Sequence, residues 1–470
     1  MARIGKIFVG RKDDLAFLER CYAAPRAQLV ILYGRRRLGK TECLRRFCEG
    51  KDHVWYSCAQ KRDETQLASF SRRLLDRDPA LRRVLDCFAT WEDALAEIPR
   101  LEMEGRKLVV MDEFPYAVRG NAAIPSIIQN VWDETLSREN VMLVLCGSSV
   151  SFMEDELLAE KNPLYGRATG VWKMGPLPYC DAAKFFPDYT PQQKLEAYGI
   201  LGGVPQYLEE FNPSLSVGEN VREAILTRGS ALYSEVDFLL RQELREPAAY
   251  NDILCAVAGG ATSLNDIAQA AMIEGAKAST YLNRLRGLHV IEREFSVQEG
   301  RGPRTKAGRG VWKVADDFVR FWYAAAWTHL SELDAGNAEG VWEGFVRPNL
   351  NDIVSPAFED VCRQWVMRRN IAGELPFRFS KMGRWWSGAQ EIDLVALGEG
   401  GRHLLGECKF SRNRVAPSVL HELRAKEAAG FGAGEGWMWL FGKEGFTERL
   451  ELEASADDHV RLVRPEELEE

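Results

Sequence analysis

The chain has 470 residues, 46% of them apolar and 28% charged, with ten cysteines, six histidines and a formal net charge of −8. That length suits about two to four domains, and the acidic balance excludes a molecule that is basic throughout, so any nucleic-acid contact must be local. No apolar run approaches the roughly 18 residues of a membrane span, and the opening Met1-Ala2-Arg3-Ile4-Gly5-Lys6 lacks the apolar core of a secretory leader. The cysteines are scattered without a C-x-x-C pair and the histidines are equally dispersed. Reduced thiols in a cytoplasm are therefore expected, with no zinc site.

The first predicted strand, 29–33, runs into Gly34-Arg35-Arg36-Arg37-Leu38-Gly39-Lys40-Thr41 and then a helix-compatible stretch, 42–48. Strand, glycine loop and helix in that order are the setting in which G-x-x-x-x-G-K-T means a phosphate cradle. The two glycines permit a tight turn whose N–H groups face phosphate oxygens, and the helix N-terminus adds partial positive charge. Lys40 can reach the β and γ phosphates, and the Thr41 hydroxyl can hold Mg²⁺. Further strands are predicted at 54–58, 108–111, 141–146 and 171–174, with helices between them, for example 127–136. That alternation predicts a doubly wound parallel sheet over 1–177. The strand at 108–111 ends on Asp112-Glu113, at the strand end where open α/β sheets bind ligands. Asp112 would hold Mg²⁺ through water, and Glu113 would polarise the attacking water.

Between 178 and 245 strand signals vanish. Helical patterns at 183–186, 193–201 and 221–226, broken by Gly202-Gly203-Val204-Pro205, read as a small helical lid. Residues 246–330 change character again: helices at 250–258, 264–271 and 276–288, a strand at 290–295, a flexible turn at 298–309 and a return strand at 310–314. Three helices followed by a hairpin is the winged-helix arrangement. Arg284 lies on the third helix, and Arg301, Arg304, Lys306 and Arg309 interleave with glycine in the turn. Such a basic tip suits DNA phosphates; the same arrangement also serves as a protein–protein or intramolecular spacer.

A polar linker is expected at 334–340, then a last domain over 345–470. It should contain a helix at 357–367, strands at 377–379, 392–396, 403–409 and 437–441, and a helix near 420–429. The acidic tail, 466–470, is expected to be mobile. Within this domain stand Glu391-Ile392-Asp393 and Glu407-Cys408-Lys409. Residues two apart on a strand share a face, so Glu407 and Lys409 project together, and Asp393 on a neighbouring strand can meet them. Two carboxylates and an ammonium group make a workable phosphodiester-hydrolysis site: the carboxylates hold Mg²⁺, and the lysine orients water or neutralises developing charge. Glu359, on the preceding helix, would be a further metal ligand. An E-x-K pair also marks many ordinary surface strands.

Nearly the whole length resembles the archaeal-type ATPase family of the STAND and AAA-like P-loop NTPases. Gly34–Thr41 and Asp112-Glu113 match its Walker A and Walker B motifs. Phe8-Val9-Gly10-Arg11 resembles its opening box near the adenine, which implies nucleotide contacts for Gly10 and Arg11, although Lys12 stands where an acidic residue often follows. Cys146-Gly147-Ser148-Ser149 resembles its sensor-1 region, placing Ser148 and Ser149 beside the γ-phosphate. The segment 162–167 resembles the one that carries a basic residue before the last sheet strand, which makes Arg167 a γ-phosphate sensor in cis or in trans; Arg35, Arg36 and Arg37 compete for that role. Gly202-Gly203-Val204-Pro205 resembles the lid motif. The C-terminal domain looks like the PD-(D/E)xK nuclease fold through Asp393, Glu407 and Lys409, with Ile392 where a proline is usual.

The expectation is an α/β chain with a P-loop NTPase sheet and helical lid, then a winged-helix domain and a restriction-endonuclease-like domain. ATP and Mg²⁺ are the implied cofactors and DNA the implied partner, with no membrane and with homo-oligomers possible. The implied activity is ATP hydrolysis coupled to DNA binding and a possible metal-dependent nuclease. The alternative is a non-catalytic regulator or scaffold whose C-terminal fold holds nucleic acid or a protein.

Overall fold

The computed structural model describes residues 8–244, 246–298, 310–388, 390–431 and 434–470. They fall into two compact units, Met1–Pro176 and Leu177–Glu470.

The first unit is built on a parallel sheet in the order β2-β3-β4-β1-β5, from β1 (Gln28–Tyr33), β2 (His53–Ser57), β3 (Lys107–Asp112), β4 (Val141–Gly147) and β5 (Gly170–Lys173). All of β1 and all of β4 are buried, as unbroken apolar runs covered on both faces must be. β1 is flanked by β4 and β5, so the loop that leaves it enters the sheet's interior edge. The helix Lys40–Cys48 begins directly after that loop and buries Cys43, Leu44, Phe47 and Cys48.

The second unit opens with short helices, including Pro191–Leu201, which starts on a Thr190/Gln193 capping box. Three helices follow, Pro247–Ala258, Leu264–Ala270 and Gly275–Gly287, then the antiparallel hairpin β6 (Ile291–Glu294) and β7 (Val311–Val314). The hairpin turn at 299–309, including Arg301, Arg304, Lys306 and Arg309, lies outside the described residues. Just past β6, the Val297 N–H donates to the Arg384 carbonyl at 2.8 Å. Val297 is itself buried in the core around Trp385, Ile392 and Leu405. The segment that leaves β6 toward the turn is thus part of the C-terminal core.

The C-terminal sheet has the order β12-β11-β10-β9-β8. β8 (Phe379–Ser387), β9 (Gln390–Gly398) and β10 (His403–Lys409) form an antiparallel meander; β11 (Gly436–Gly442) and β12 (Val460–Val463) add in parallel. The helix Arg347–Ala372 precedes the sheet, and Pro417–Gly430 joins β10 to β11. Several expectations need correction here. The helix expected at 357–367 runs from Arg347 to Ala372, straight through Pro356. The strand expected at 377–379 is the nine-residue β8; β12 and the helix Glu448–Ser455 had no distinct signal. The supposed linker at 334–340 is a tight junction: Asn337 caps the helix Ala338–Val341, and Leu333 and Val341 are buried. The acidic tail is docked, with Leu468 only 1% exposed and ion pairs from Glu469 to Lys194 and from Glu470 to Arg369.

Candidate nucleotide site and C-terminal carboxylate cluster

Gly34 has φ +156°, and a Cβ there would lie 2.4 Å from the Met174 carbonyl oxygen, so only glycine permits this approach of two chain segments. Gly39 caps the helix Lys40–Cys48 with φ 83°, and Arg37 between them is also left-handed. The loop therefore turns tightly and delivers the helix N-terminus, with its unpaired N–H groups, to the carboxyl edge of the sheet. Lys40 is buried, and its ammonium donates to the Gly34 and Arg35 carbonyls at 2.7 and 2.8 Å. Burial pushes its pKa below the ordinary lysine value, against the pull of the nearby Glu113 and Asp112 carboxylates. Arg36 donates to the Tyr116 hydroxyl at 3.0 Å. Arg35 and Leu38 are buried within the loop.

Across the cradle, the Thr41 hydroxyl donates to Asp112 Oδ2 at 2.9 Å. A hydroxyl and a carboxylate brought together at the edge of a cationic loop form a donor pair that suits a hard, oxygen-seeking cation. The other Asp112 oxygen accepts the Glu113 N–H at 3.0 Å, and Glu113 itself turns out of the strand with φ 53°. Its carboxylate accepts from the Ser148 hydroxyl at 2.8 Å. Ser148, just past β4, thereby orients the carboxylate beside the cradle. Ser149 lies next to it and begins the turn into Val150–Phe152.

Two further arginines singled out in the sequence, Arg11 and Arg167, make contacts with the protein itself. Arg11 is left-handed and follows Gly10, which is left-handed too; its guanidinium donates to the carbonyls of Gly175 and Leu38 at 2.7 and 2.6 Å. These bonds tie Arg11 to the phosphate loop at Leu38 and to the segment just past β5. Arg167 holds Asp133 in a two-pronged pair, with Nη2 to Oδ2 at 2.7 Å, and donates to the Pro163 carbonyl at 3.0 Å. Thr169, two residues on, bonds the Leu29 carbonyl at the start of β1, whereas the phosphate loop leaves the far end at Tyr33. At about 3.3 Å per residue, the four steps from Leu29 to Tyr33 span roughly 13 Å, so Arg167 stands near the end of the sheet away from the phosphate loop.

The C-terminal cluster forms where β9 and β10 pair. Their register ends at Gly406 opposite Leu394; one step further sets Glu407 opposite Asp393, both on the same face. The Asp393 Oδ2 accepts the Cys408 N–H at 2.8 Å. Lys409 donates to Glu407 Oε1 at 2.8 Å, so the two share a face as the strand period requires. Burial, and then the Glu407 charge, raise the Asp393 pKa. Glu359 is pushed up to about 7 by burial and by Asp393. Three residues that the sequence did not flag complete the cluster. Lys426, on the helix Pro417–Gly430, binds Glu407 Oε2 at 3.1 Å. Arg363 and Arg384 approach Glu359 at 3.6 and 3.8 Å. Only Arg363 left a hint, as the cation four residues after Glu359 on one helix. Among the described residues no three His, Cys, Asp or Glu side chains converge to hold a metal ion. The expected three-carboxylate shell is therefore not formed, because Glu359 faces two guanidinium groups; Asp393 and Glu407 remain as a pair. Arg284 sits partly exposed in the last turn of Gly275–Gly287.

All ten cysteines are free thiols, and among the described residues no helix is long and apolar enough to cross a membrane.

Comparison with known proteins fits this geometry. Residues 8–211 match the model of an ATPase domain found predominantly in Archaea. Residues 322–427, which contain the carboxylate cluster, match a family of archaeal and bacterial proteins of unknown function. An uncharacterised protein of Methanocaldococcus jannaschii is 29% identical over 443 residues, 93% of this chain and 96% of its own. An uncharacterised ATP-binding protein of the same organism is 53% identical over 45 residues, 10% of this chain and 76% of its own. Among solved structures, a Walker-type ATPase of Pyrococcus abyssi shares the fold, with a TM-score of 0.52 and 20% identity over 67% of this chain and 96% of its own. Residues 8–211 thus form a P-loop ATPase domain of the archaeal type.

Proposed function

We propose that this ATPase hydrolyses ATP with Mg²⁺ and uses its nucleotide state to switch a C-terminal half that engages DNA and carries a nuclease-like site. The contact between the Thr41 hydroxyl and Asp112 is the observation that supports it most. Thr41 and Asp112 are the residues that would hold Mg²⁺, which supplies charge neutralisation at the phosphates. Lys40 and the loop N–H groups bind the phosphates, and Glu113 orients the attacking water and accepts its proton. We assign the ATPase core to 1–177, the lid to 178–245, a winged-helix domain to 246–330 and the nuclease-like domain to 345–470. DNA contact is assigned to Arg284 and to the hairpin cations Arg301, Arg304, Lys306 and Arg309.

In the nuclease-like site, Asp393 and Glu407 would share a divalent cation with a bound phosphodiester, and Lys409 would neutralise the charge that develops. The full-length protein, incubated with DNA and RNA substrates with and without ATP and Mg²⁺, is expected to cleave only with divalent metal. Asp393→Ala and Glu407→Ala should abolish cleavage and Lys409→Ala should largely remove it, while Glu359→Ala costs less. Metal-independent cleavage, or cleavage that survives Asp393→Ala, rejects the site. A second reading, a binding module without chemistry, is favoured by the cations that already neutralise the cluster: Lys409 and Lys426 on Glu407, Arg363 and Arg384 on Glu359. No cleavage of any substrate would establish it.

Arg167 we assign to action in trans, on the nucleotide of a second copy. An arginine finger contributes roughly 10³–10⁵ in rate where it acts. Arg167→Ala is therefore expected to hydrolyse ATP normally when dilute and to lose the acceleration that appears at high protein concentration. Equal rates for variant and wild type across that concentration range would leave Arg167 as a structural partner of Asp133.

A further inference from the structure

The acidic segment Pro465–Glu469 and the following Glu470 lie on cations drawn from separate elements. Lys194, from the helix Pro191–Leu201, binds Glu469 at 2.8 Å. Arg369, from Arg347–Ala372, binds Glu470 at 2.9 Å. Arg461, on β12, binds Glu467 at 3.0 Å. Arg368 donates to the Leu468 carbonyl at 2.9 Å. Neighbours along one helix commonly pair by chance of spacing; cations from three elements meeting on one short segment do not. Two of them are held in place from below. Arg369 and Arg461 lie over opposite-charge-free aromatic surface, the Trp365 ring, at 5.0 and 5.1 Å, and Arg461 also over Trp439 at 5.2 Å. Their positions are therefore set by packing as well as by the acidic segment.

We propose that Lys194, Arg368, Arg369 and Arg461 form a docking face for the phosphate backbone of a nucleic acid, with the acidic segment seated on it as an internal stand-in. The inference rests on the reading that this half of the chain engages nucleic acid, and it adds a second contact surface and a control on it. Guanidinium groups fixed on an indole present their planar forks to an oxyanion without further ordering. In a chain of net charge −8 such a face is local, and covering it with carboxylates keeps it silent. The covering is displaceable: the carboxylates of Glu467, Glu469 and Glu470 are part-exposed, and exposed pairs are weak and screened by salt. A polyphosphate gains counterion release on the same cations.

The test replaces charge and keeps the apolar anchor Leu468. In full-length protein, Glu467→Gln, Glu469→Gln and Glu470→Gln are combined, and anisotropy of fluorescein-labelled single-stranded and duplex DNA is followed over a salt series. A control triple, Glu399→Gln, Glu422→Gln and Asp458→Asn, changes net charge equally at exposed positions elsewhere. The acidic-segment variant is expected to bind at least about tenfold more tightly at low salt, with a duplex salt slope steeper by up to about three units at roughly 0.9 per new phosphate contact. Adding Lys194→Gln, Arg369→Gln and Arg461→Gln should remove that gain, with thermal unfolding checked for each variant. If the acidic-segment variant matches the control while neutralising the four hairpin cations removes binding, this face is overturned and the nucleic-acid reading stands. Tighter binding of a poly-aspartate peptide but not of DNA overturns the nucleic-acid partner in favour of an acidic protein. If no variant binds DNA, both fail.

Discussion

Lys40→Ala is expected to lose ATP binding by two to three and a half orders of magnitude while keeping its fold. The ammonium group lies inside the loop, on the Gly34 and Arg35 carbonyls, where burial already disfavours its charge. An arriving polyphosphate offers that buried cation its counter-charge. Removing it leaves the phosphates facing backbone dipoles alone, with the Asp112 carboxylate close by. Deleting one member of a buried charge pair costs about 3–5 kcal/mol, which sets the range given. The fold should survive, because the helix Lys40–Cys48 is held by its buried Cys43, Leu44, Phe47 and Cys48. Titration calorimetry with ATP measures the loss, and circular dichroism with a thermal melt checks the fold. ATP affinity unchanged in a folded variant would reject the cradle.

The candidate nucleotide site was legible as a strand–loop–helix unit because its parts are local. One strand, one glycine loop and one helix start carry most of it, and the spacing of Gly34, Gly39, Lys40 and Thr41 specifies their geometry. What could not be read was who stands behind the loop. Arg11 meets Leu38 and Gly175 only after the chain has closed the sheet through β5, and no periodicity encodes a contact 164 residues long. The C-terminal cluster divides the same way. The strand period puts Glu407 and Lys409 on one face, and antiparallel pairing sets Asp393 opposite. Yet the charges that decide its chemistry, Arg363, Arg384 and Lys426, arrive from two helices and an edge strand. On a helix such residues look like any solvated face. The acidic tail misled for a related reason: five residues rich in glutamate read as solvated, and Leu468 among them was too little apolar signal to announce a docked segment.

The long helix Arg347–Ala372 connects these features physically. Glu359 and Arg363 face the carboxylate cluster. Next to Arg363, Gln364 accepts the Tyr179 N–H at 2.9 Å and donates to the Tyr198 hydroxyl at 3.2 Å. Tyr198 lies on the helix Pro191–Leu201, where Gly199 packs so closely that a Cβ would fall 2.4 Å from Val354. The helices after Leu177 and the C-terminal sheet are therefore packed against one continuous rod.

Glu113→Gln is expected to bind ATP at least as tightly as the wild type and to hydrolyse it about 10²–10⁴ times more slowly, the range over which a positioned general base acts. The amide keeps the size of the carboxylate and can still accept from the Ser148 hydroxyl, now 2.8 Å from Glu113, so the local geometry is retained. Only the ability to take a proton from water is lost. Binding should not weaken, because the side chain faces the phosphates as a like charge, and neutralising it removes repulsion. Asp112 separates the two functions: its carboxylate bonds the Thr41 hydroxyl on one side and the Glu113 N–H on the other. Its loss should therefore damage metal-dependent binding as well as turnover. Single-turnover hydrolysis together with ATP titration distinguishes these outcomes. A Glu113→Gln variant with wild-type turnover would assign water activation to another residue. One that loses ATP and turnover together would make Glu113 part of the binding shell, and the division of labour between the two acidic residues would have to be reversed.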